Sequence, residues 1–283
     1  MPQLPHPRKP ENAGSESDTA GRPAVSAGSL TVGRSVRMAW ESNRGLPGAI
    51  RAMHAAAAPW TPVCRWLWKP ERRHTTVALG SIALVWLVVY PLDGAIATAA
   101  TSLRDNLGGD IRREFETFQQ FGGLTSCLLV AAVVWGAMPG ERPRLRGLAA
   151  SWIVVGLVVQ MLKMLIGRPR PKFGDPDTIL GPLGAYPIGP DEGIWHAWEV
   201  WGPISSDLWS MPSSHTSAAV VLAVFLRSIE PRLTWLWATL CVIVGAGRVV
   251  LGAHFLSDVL VGALFGLWLA PMVLRRIAAK RVA

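Results

Sequence analysis

Polar and ionisable side chains that could carry chemistry stand within and beside the apolar runs of this sequence. From the amino to the carboxyl end they are Lys163, Arg170, Ser213, Ser214, His215, Arg248, His254 and Asp258. An ionisable residue inside a membrane-crossing segment costs about 2.5–3.5 kcal/mol on insertion scales, so each such residue is a functional candidate. As a set they provide two histidines for nucleophilic attack or proton transfer, one carboxylate, and three cations that could bind an anion.

The spacing of these residues suggests how they would work. His254 and Asp258 are four residues apart, so on a helix they would share a face and the carboxylate could bond one ring nitrogen. That bond would fix the tautomer and present the other nitrogen as a base or nucleophile. Pro212 suits the first turn of a helix, where no N–H is needed, and the free N–H groups of residues 213–215 would then form an anion site. Three positive charges suited to the oxygens of a phosphate would add to it: Lys163, Arg170 and Arg248.

The composition predicts a membrane protein that positions these residues on helices. Half of the 283 residues are hydrophobic, 17% are charged, and the mean hydropathy is positive. The net charge of +9 comes mostly from Lys and Arg that flank apolar runs, so we expect no nucleic-acid partner. Three cysteines lie far apart, which argues against a zinc site or a disulfide framework: Cys64, Cys127 and Cys241.

Six apolar runs predict an all-α, polytopic six-transmembrane-helix bundle, since about 20 apolar residues cross a bilayer. They cover residues 75–92, 120–138, 147–166, 212–226, 233–251 and 254–274. We predict a disordered basic cytoplasmic tail over 1–45, a juxtamembrane segment over 46–73, the membrane domain over 74–275 and a basic cytoplasmic tail over 276–283. The first sixty residues lack the apolar core of a signal peptide, so the first run should act as an uncleaved anchor.

Basic residues orient this bundle through the positive-inside rule. They crowd one side of a six-crossing chain: Lys69, Arg72, Arg73, Arg142, Arg144, Arg146, Arg227, Arg232, Arg275, Arg276, Lys280 and Arg281. Both termini are then cytoplasmic, and the opposite side receives loops over 93–119 and 167–211. The chemistry-bearing residues all fall at that opposite, outer end of their helices.

Each candidate also has a purely structural interpretation. Lys163 could be a lysine that extends its charge to the interface, and His215 could pack between helices. His254 and Asp258 could form a structural polar pair between helices. Arg168 precedes a proline in the same loop as Arg170, and we expect it to contact headgroups or a neighbouring acid. The outer-loop tryptophans Trp195, Trp198 and Trp201 are expected to be interfacial anchors, or else to line a lipid entrance.

The joint pattern resembles a known family. K-M-L-I-G-R-P-R-P from Lys163, P-S-S-H from Pro212 and G-R-V-V-L-G-A-H-F-L-S-D from Gly247 are similar to the three-part signature of the type 2 phosphatidic acid phosphatase and vanadium haloperoxidase superfamily. That signature reads K-x6-R-P, P-S-G-H and S-R-x5-H-x3-D, and the resemblance covers roughly residues 120–270. Two positions depart from it: Ser214 stands for the usual Gly, and Gly247 for the usual Ser.

The resemblance implies a mechanism without a metal or other cofactor. His254 would attack phosphorus to form a phospho-histidine, with Asp258 orienting it, and His215 would protonate the leaving oxygen. Lys163, Arg170 and Arg248 would hold the phosphoryl oxygens. Gly247 would leave one hydroxyl ligand missing, for which Ser213 or Ser214 could compensate.

The expected function is hydrolysis of a lipid phosphate or diphosphate at the outer face of a plasma or inner membrane. Phosphatidate, phosphatidylglycerol phosphate and polyprenyl diphosphate all satisfy this description, and the oligomeric state is left open. Three alternatives remain: a phosphotransferase with a hydroxyl acceptor, a non-catalytic phosphate-binding transporter or scaffold, and a haloperoxidase.

Overall fold

The computed structural model describes residues 73–187, 193–202 and 205–279. The predicted tail over 1–45 lies outside the described residues, as do the juxtamembrane segment up to residue 72 and the end of the chain from residue 280. Within the described part the fold is mostly helical.

The first helical run is much longer than the predicted first span. Helix α1 (Arg73–Leu84) continues through a π-helical segment (Val85–Val89) and a 3₁₀-helical turn (Tyr90–Leu92) into helix α2 (Asp93–Asn106). A further helix, α3 (Gly109–Phe118), follows. The predicted loop over 93–119 is therefore wrong. Its Ala-rich start favours helix, and the charge of Asp93 is buried in the protein rather than exposed in a loop.

Helix α4 (Leu124–Ala137) forms a bend of 58° with the segment Gly109–Gly122. Gly122 lies at this bend against the start of another helix. A Cβ atom here would overlap the backbone carbonyl of His215, so only glycine permits the close approach.

Four longer helices complete the bundle: α5 (Leu145–Ile166), α6 (Ser214–Ile229), α7 (Thr234–Val250) and α8 (Leu256–Ala279). Helix α6 lies at the centre and packs against α5, α7 and α8. Its buried residues Val221, Leu222 and Phe225 pack with Val155 and Val159 of α5. Helix α8 extends to Ala279, so the first residues of the predicted tail over 276–283 are helical.

Within the described part of the chain, four helical segments are long and apolar enough to cross a membrane: Arg73–Asn106, Pro139–Phe173, Pro231–Val250 and Leu256–Ala279. A fifth is added if the bent segment around Gly123 counts as one span. Helix α6 is apolar but has only 16 residues. The structure thus supports a multi-pass membrane protein, while six crossings stay a prediction.

The connection from α5 to α6 contains a small antiparallel sheet that the all-α prediction missed. Strand β1 (Ala185–Pro187) pairs with strand β2 (Ile194–His196), with Tyr186 opposite Trp195. This hairpin lies at the end of the bundle that carries Lys163.

Candidate active site

The segment between Trp209 and Ser213, just before α6, brings the predicted site residues together. The backbone carbonyl of Trp209 accepts a hydrogen bond from Lys163 Nζ at 2.8 Å. The backbone carbonyl of Ser210 lies 2.7 Å from His254 Nδ1, and the Ser213 N–H donates to the backbone carbonyl of Asp258 at 3.0 Å. One short segment therefore contacts the end of α5, the turn before α8 and the first turn of α8.

His254 lies in the turn between α7 and α8, outside both helices. A carbonyl oxygen can only accept, so the contact with Ser210 places the ring proton on Nδ1 and leaves the lone pair on Nε2. Burial lowers the pKa of His254 to about 3, which keeps the ring neutral near pH 7. A neutral imidazole with a free Nε2 is the form required of a nucleophile.

Asp258 does not bond His254 as the four-residue spacing suggested. Its Oδ2 atom lies 3.8 Å from His254 Nδ1, beyond hydrogen-bond distance. The reason is that α8 begins at Leu256, so the two residues do not share a helix face. The buried carboxylate instead accepts from Ser210 Oγ at 2.5 Å, from the Phe255 N–H at 2.9 Å and from Arg168 Nη1 at 2.8 Å.

Arg168, expected to meet headgroups or an acid, meets two acids and is fully buried. It pairs with Asp258 at 2.8 Å and with Asp93 of α2 at 3.0 Å. Its guanidinium lies 4.6 Å from the centre of the Tyr90 ring and 4.1 Å from that of Phe255. The prediction of a neighbouring acid is thus confirmed, and that of headgroup contact is wrong.

Three cations surround the start of α6. Lys163 is buried, while Arg170 and Arg248 are partly buried. Their charges act on one another and on His215, so a bound anion would relieve a mutual repulsion. Arg170 Nε donates to the carbonyl of Ser206 at 2.9 Å. Among the described residues none accepts from the buried Nε of Arg248, which is therefore available to an anionic oxygen.

Helix α6 begins at Ser214 rather than at Pro212, and this corrects part of the predicted anion site. The Ser213 N–H is already used by the Asp258 carbonyl, and the Ser213 hydroxyl accepts from Thr216 Oγ1 at 3.0 Å. The N–H groups of Ser214 and His215 belong to the first turn of the helix, where an anion is stabilised.

A cavity of about 230 Å³ opens beside His215. Its lining is mostly apolar and includes Leu124, Trp152, Gly156, Ala218 and Val221. Since Val221 lies six residues beyond His215, the cavity follows α6 for roughly 9 Å toward the middle of the bundle. The site therefore joins a cationic end to an apolar interior.

Comparison with known protein families gives a match over the part of the chain that carries this site. The model of the PAP2 superfamily matches residues 144–281, which include every predicted site residue. This part of the chain belongs to the PAP2 superfamily. The resemblance drawn from the three motifs is thereby confirmed.

Two curated relatives and a solved structure are similar to this chain. Two lipid A 1-phosphatases match over 137 residues, or 45% of this chain: one from Rhizobium johnstonii at 30% identity and one from Rhizobium etli at 31%. The matched part spans about half the length of these relatives, 49% and 51%. A transmembrane PAP2-type phosphatidylglycerolphosphate phosphatase from Bacillus subtilis shares the fold, with a TM-score of 0.50 and 23% identity over 74% of this chain and 95% of that one.

Residues outside the PAP2 match also support the site, and sequence reasoning missed them. Asp93 pairs with Arg168, and Gln119 accepts from Arg248 Nη1 at 2.5 Å. A Cβ atom on Gly247 would lie 3.2 Å from the Phe115 ring, so α3 packs where the PAP2 motif usually has serine. In the sequence, the one indication that Asp93 is buried near the site was its position directly after the apolar run 75–92.

Ser210 was also missed, although it lies inside the PAP2 match. It is fully buried and uses all its polar groups: its N–H donates to the Arg168 carbonyl, its carbonyl accepts from His254, and its hydroxyl donates to Asp258. The histidine and the aspartate are therefore connected through this serine.

Proposed function

We propose that this protein is a membrane phosphatase that hydrolyses a lipid phosphate or diphosphate through a phospho-histidine on His254. The observation that carries the proposal is the fixed tautomer of His254. Its Nδ1 proton is held by the Ser210 carbonyl, and Lys163 and Arg248 are close enough to act on the ring. The PAP2 match supports the same reaction class.

The first step transfers the phosphoryl group to the protein. Nε2 of His254 forms a bond to phosphorus while the bond from phosphorus to the leaving oxygen breaks. His215, which is protonated once the negative charge of the substrate offsets the neighbouring cations, gives its proton to that oxygen. In the second step His215, now neutral, takes a proton from water. The water oxygen bonds to phosphorus, the P–N bond breaks, and inorganic phosphate leaves.

The cations stabilise charge that develops on the phosphoryl oxygens. Lys163, Arg170 and Arg248 would each donate to these oxygens, and Nε of Arg248 is a buried donor that the described residues leave unused. Asp258 holds a negative charge 3.8 Å from Nδ1 and so stabilises the positive charge that the ring gains on phosphorylation. Ser214 contributes its helix N-terminal N–H, and Ser213 positions Asp258 through its backbone.

The cavity beside His215 supports a lipid as the leaving group. Because His215 serves the leaving oxygen, the group attached to that oxygen lies on the His215 side, where the lining is apolar. Phosphatidate, phosphatidylglycerol phosphate and polyprenyl diphosphate fit this chemistry, and the names of the relatives add lipid A carrying a 1-phosphate.

For the location, we propose a plasma or inner membrane with both termini cytoplasmic and the site at the outer face. The distribution of Lys and Arg over the loops supports this orientation. It requires the short helix α6 and the bent segment around Gly123 to be counted as crossings.

The direct test is phosphate release by the purified full-length protein across a panel of lipid phosphates and diphosphates. His254→Ala should abolish release from every substrate, whereas His74→Ala, at the exposed start of α1, should leave it unchanged. Phosphate release by His254→Ala at the wild-type rate would refute the mechanism. Product analysis with an added hydroxyl acceptor separates hydrolysis from phosphotransfer, and no turnover by the wild-type protein on any substrate would favour a binding protein.

A further inference from the structure

Among the described residues between Phe173 and α6, which form no membrane-crossing helix, six large apolar side chains are exposed. Their exposed fractions range from 40% to 89%, and they form the loop patch: Ile179, Leu183, Ile194, Trp198, Val200 and Trp201. Exposed apolar residues on a membrane-crossing helix face lipid tails, but residues outside such helices need another partner. The loop patch therefore indicates a contact surface.

The backbone holds this patch at the end of α5. The N–H groups of Leu180 and Gly181 donate to the carbonyls of Gly167 and Ile166 at 3.2 and 3.0 Å. A Cβ atom on Gly167 would lie 3.0 Å from the Cβ of Ala197, so the second half of the connection packs on the same point. With 22 residues, α5 is about 33 Å long and spans a hydrocarbon core of about 30 Å, which places its end at the bilayer surface.

The chemistry of the patch matches the headgroup layer of a bilayer. Trp198 and Trp201 are in edge-to-face contact, with ring centres 5.9 Å apart, and tryptophan is the side chain that favours this layer. In the described part of residues 179–201, Glu199 carries the one carboxylate and no Lys or Arg occurs. A surface poor in charge and rich in tryptophan enters a lipid interface at little desolvation cost.

We propose that the loop patch is a lipid-contacting surface that inserts into the headgroup layer beside the active site. The contact itself does not depend on the proposed hydrolysis. It is nevertheless connected to the site, because Trp209 Nε1 donates to the carbonyl of Ala197 at 2.6 Å while its own carbonyl accepts from Lys163. The patch holds the phosphate-binding lysine at the depth where a lipid phosphate lies.

Spin labelling tests the contact without any reference to catalysis. In a background with the three native cysteines replaced by serine, Leu183→Cys is labelled in vesicles of phosphatidylcholine and phosphatidylglycerol. The label should be more accessible to oxygen than to a water-soluble nickel chelate. A label at Asp110→Cys, whose native side chain is 98% exposed, is the aqueous control. Higher accessibility of residue 183 to the chelate, or low accessibility to both reagents because protein covers it, would overturn the proposal.

Kinetics test the consequence for the active site. The double variant Trp198→Ser, Trp201→Ser should raise KM for a lipid phosphate presented in vesicles by about tenfold, since two interfacial aromatics are lost. Hydrolysis of a short-chain phosphate dissolved as monomers should stay within about twofold of wild type. Trp235→Ser, which removes a 66% exposed tryptophan at the other end of the bundle, is the matched control and should change neither value. An equal loss on both substrates would contradict a role in lipid contact, whereas a wild-type protein inactive on both would count against the phosphatase proposal alone.

Discussion

Replacement of Ser210 by alanine tests how the candidate nucleophile is held. Ser210→Ala removes the hydroxyl that donates to Asp258 at 2.5 Å, while the backbone bonds of residue 210 to His254 and Arg168 remain. The tautomer of His254 is therefore retained. What changes is the position of the carboxylate that stabilises the phosphorylated ring.

The size of the effect follows from the type of bond that is lost. A hydrogen bond to a charged group is worth about 1.5–3 kcal/mol. If this energy acts on the transition state, kcat falls by about 10- to 150-fold. KM should change little, because Lys163, Arg170 and Arg248 still bind the phosphate.

The assay is initial-rate phosphate release, combined with thermal unfolding in detergent to separate catalysis from stability. Ser151→Ala is the matched control, since its hydroxyl is equally buried and has no hydrogen-bond partner among the described residues. That variant should keep the wild-type kcat. A Ser210→Ala protein with unchanged kcat, or a matching fall in Ser151→Ala, would refute the reasoning.

Two further substitutions test the apolar cavity and the buried charges. At Gly156 an added Cβ meets no atom within 4 Å, so Gly156→Leu should fill the cavity and raise KM for long-chain lipid phosphates by roughly tenfold. A short-chain phosphate should be turned over as before, and an equal effect on both substrates would argue against a lipid in the cavity. Asp93→Ala leaves the buried Arg168 with one carboxylate partner and should lower the free energy of unfolding by about 3–5 kcal/mol. A melting temperature equal to that of wild type would show that the pair with Asp93 contributes no stability.

Local patterns in the sequence predicted the helices that carry the motifs. The runs 147–166 and 233–251 correspond closely to α5 (Leu145–Ile166) and α7 (Thr234–Val250). The loop predicted over 93–119 was wrong at its start because the charge of its first residue has partners that are distant in sequence. Asp93 is neutralised by Arg168 and also accepts from the Ser257 N–H at 3.0 Å. Such pairing is a tertiary effect, and a pattern of charge along the chain does not contain it.

The relation between His254 and Asp258 shows the same limit of local reasoning at the centre of the site. A spacing of four residues has meaning only inside a helix, and α8 begins two residues after His254. The ring of His254 is therefore oriented by the carbonyl of Ser210, which is 44 positions away and lies outside the three motifs. Asp258 is held by Arg168, which is 90 positions away. Because Ser210 contacts both partners, the motif residues depend on packing between α5, α6 and α8. A PAP2 motif transplanted without Ser210, or with another residue at the unspecified motif position of Arg168, would retain the reactive groups but lose the contacts that orient them.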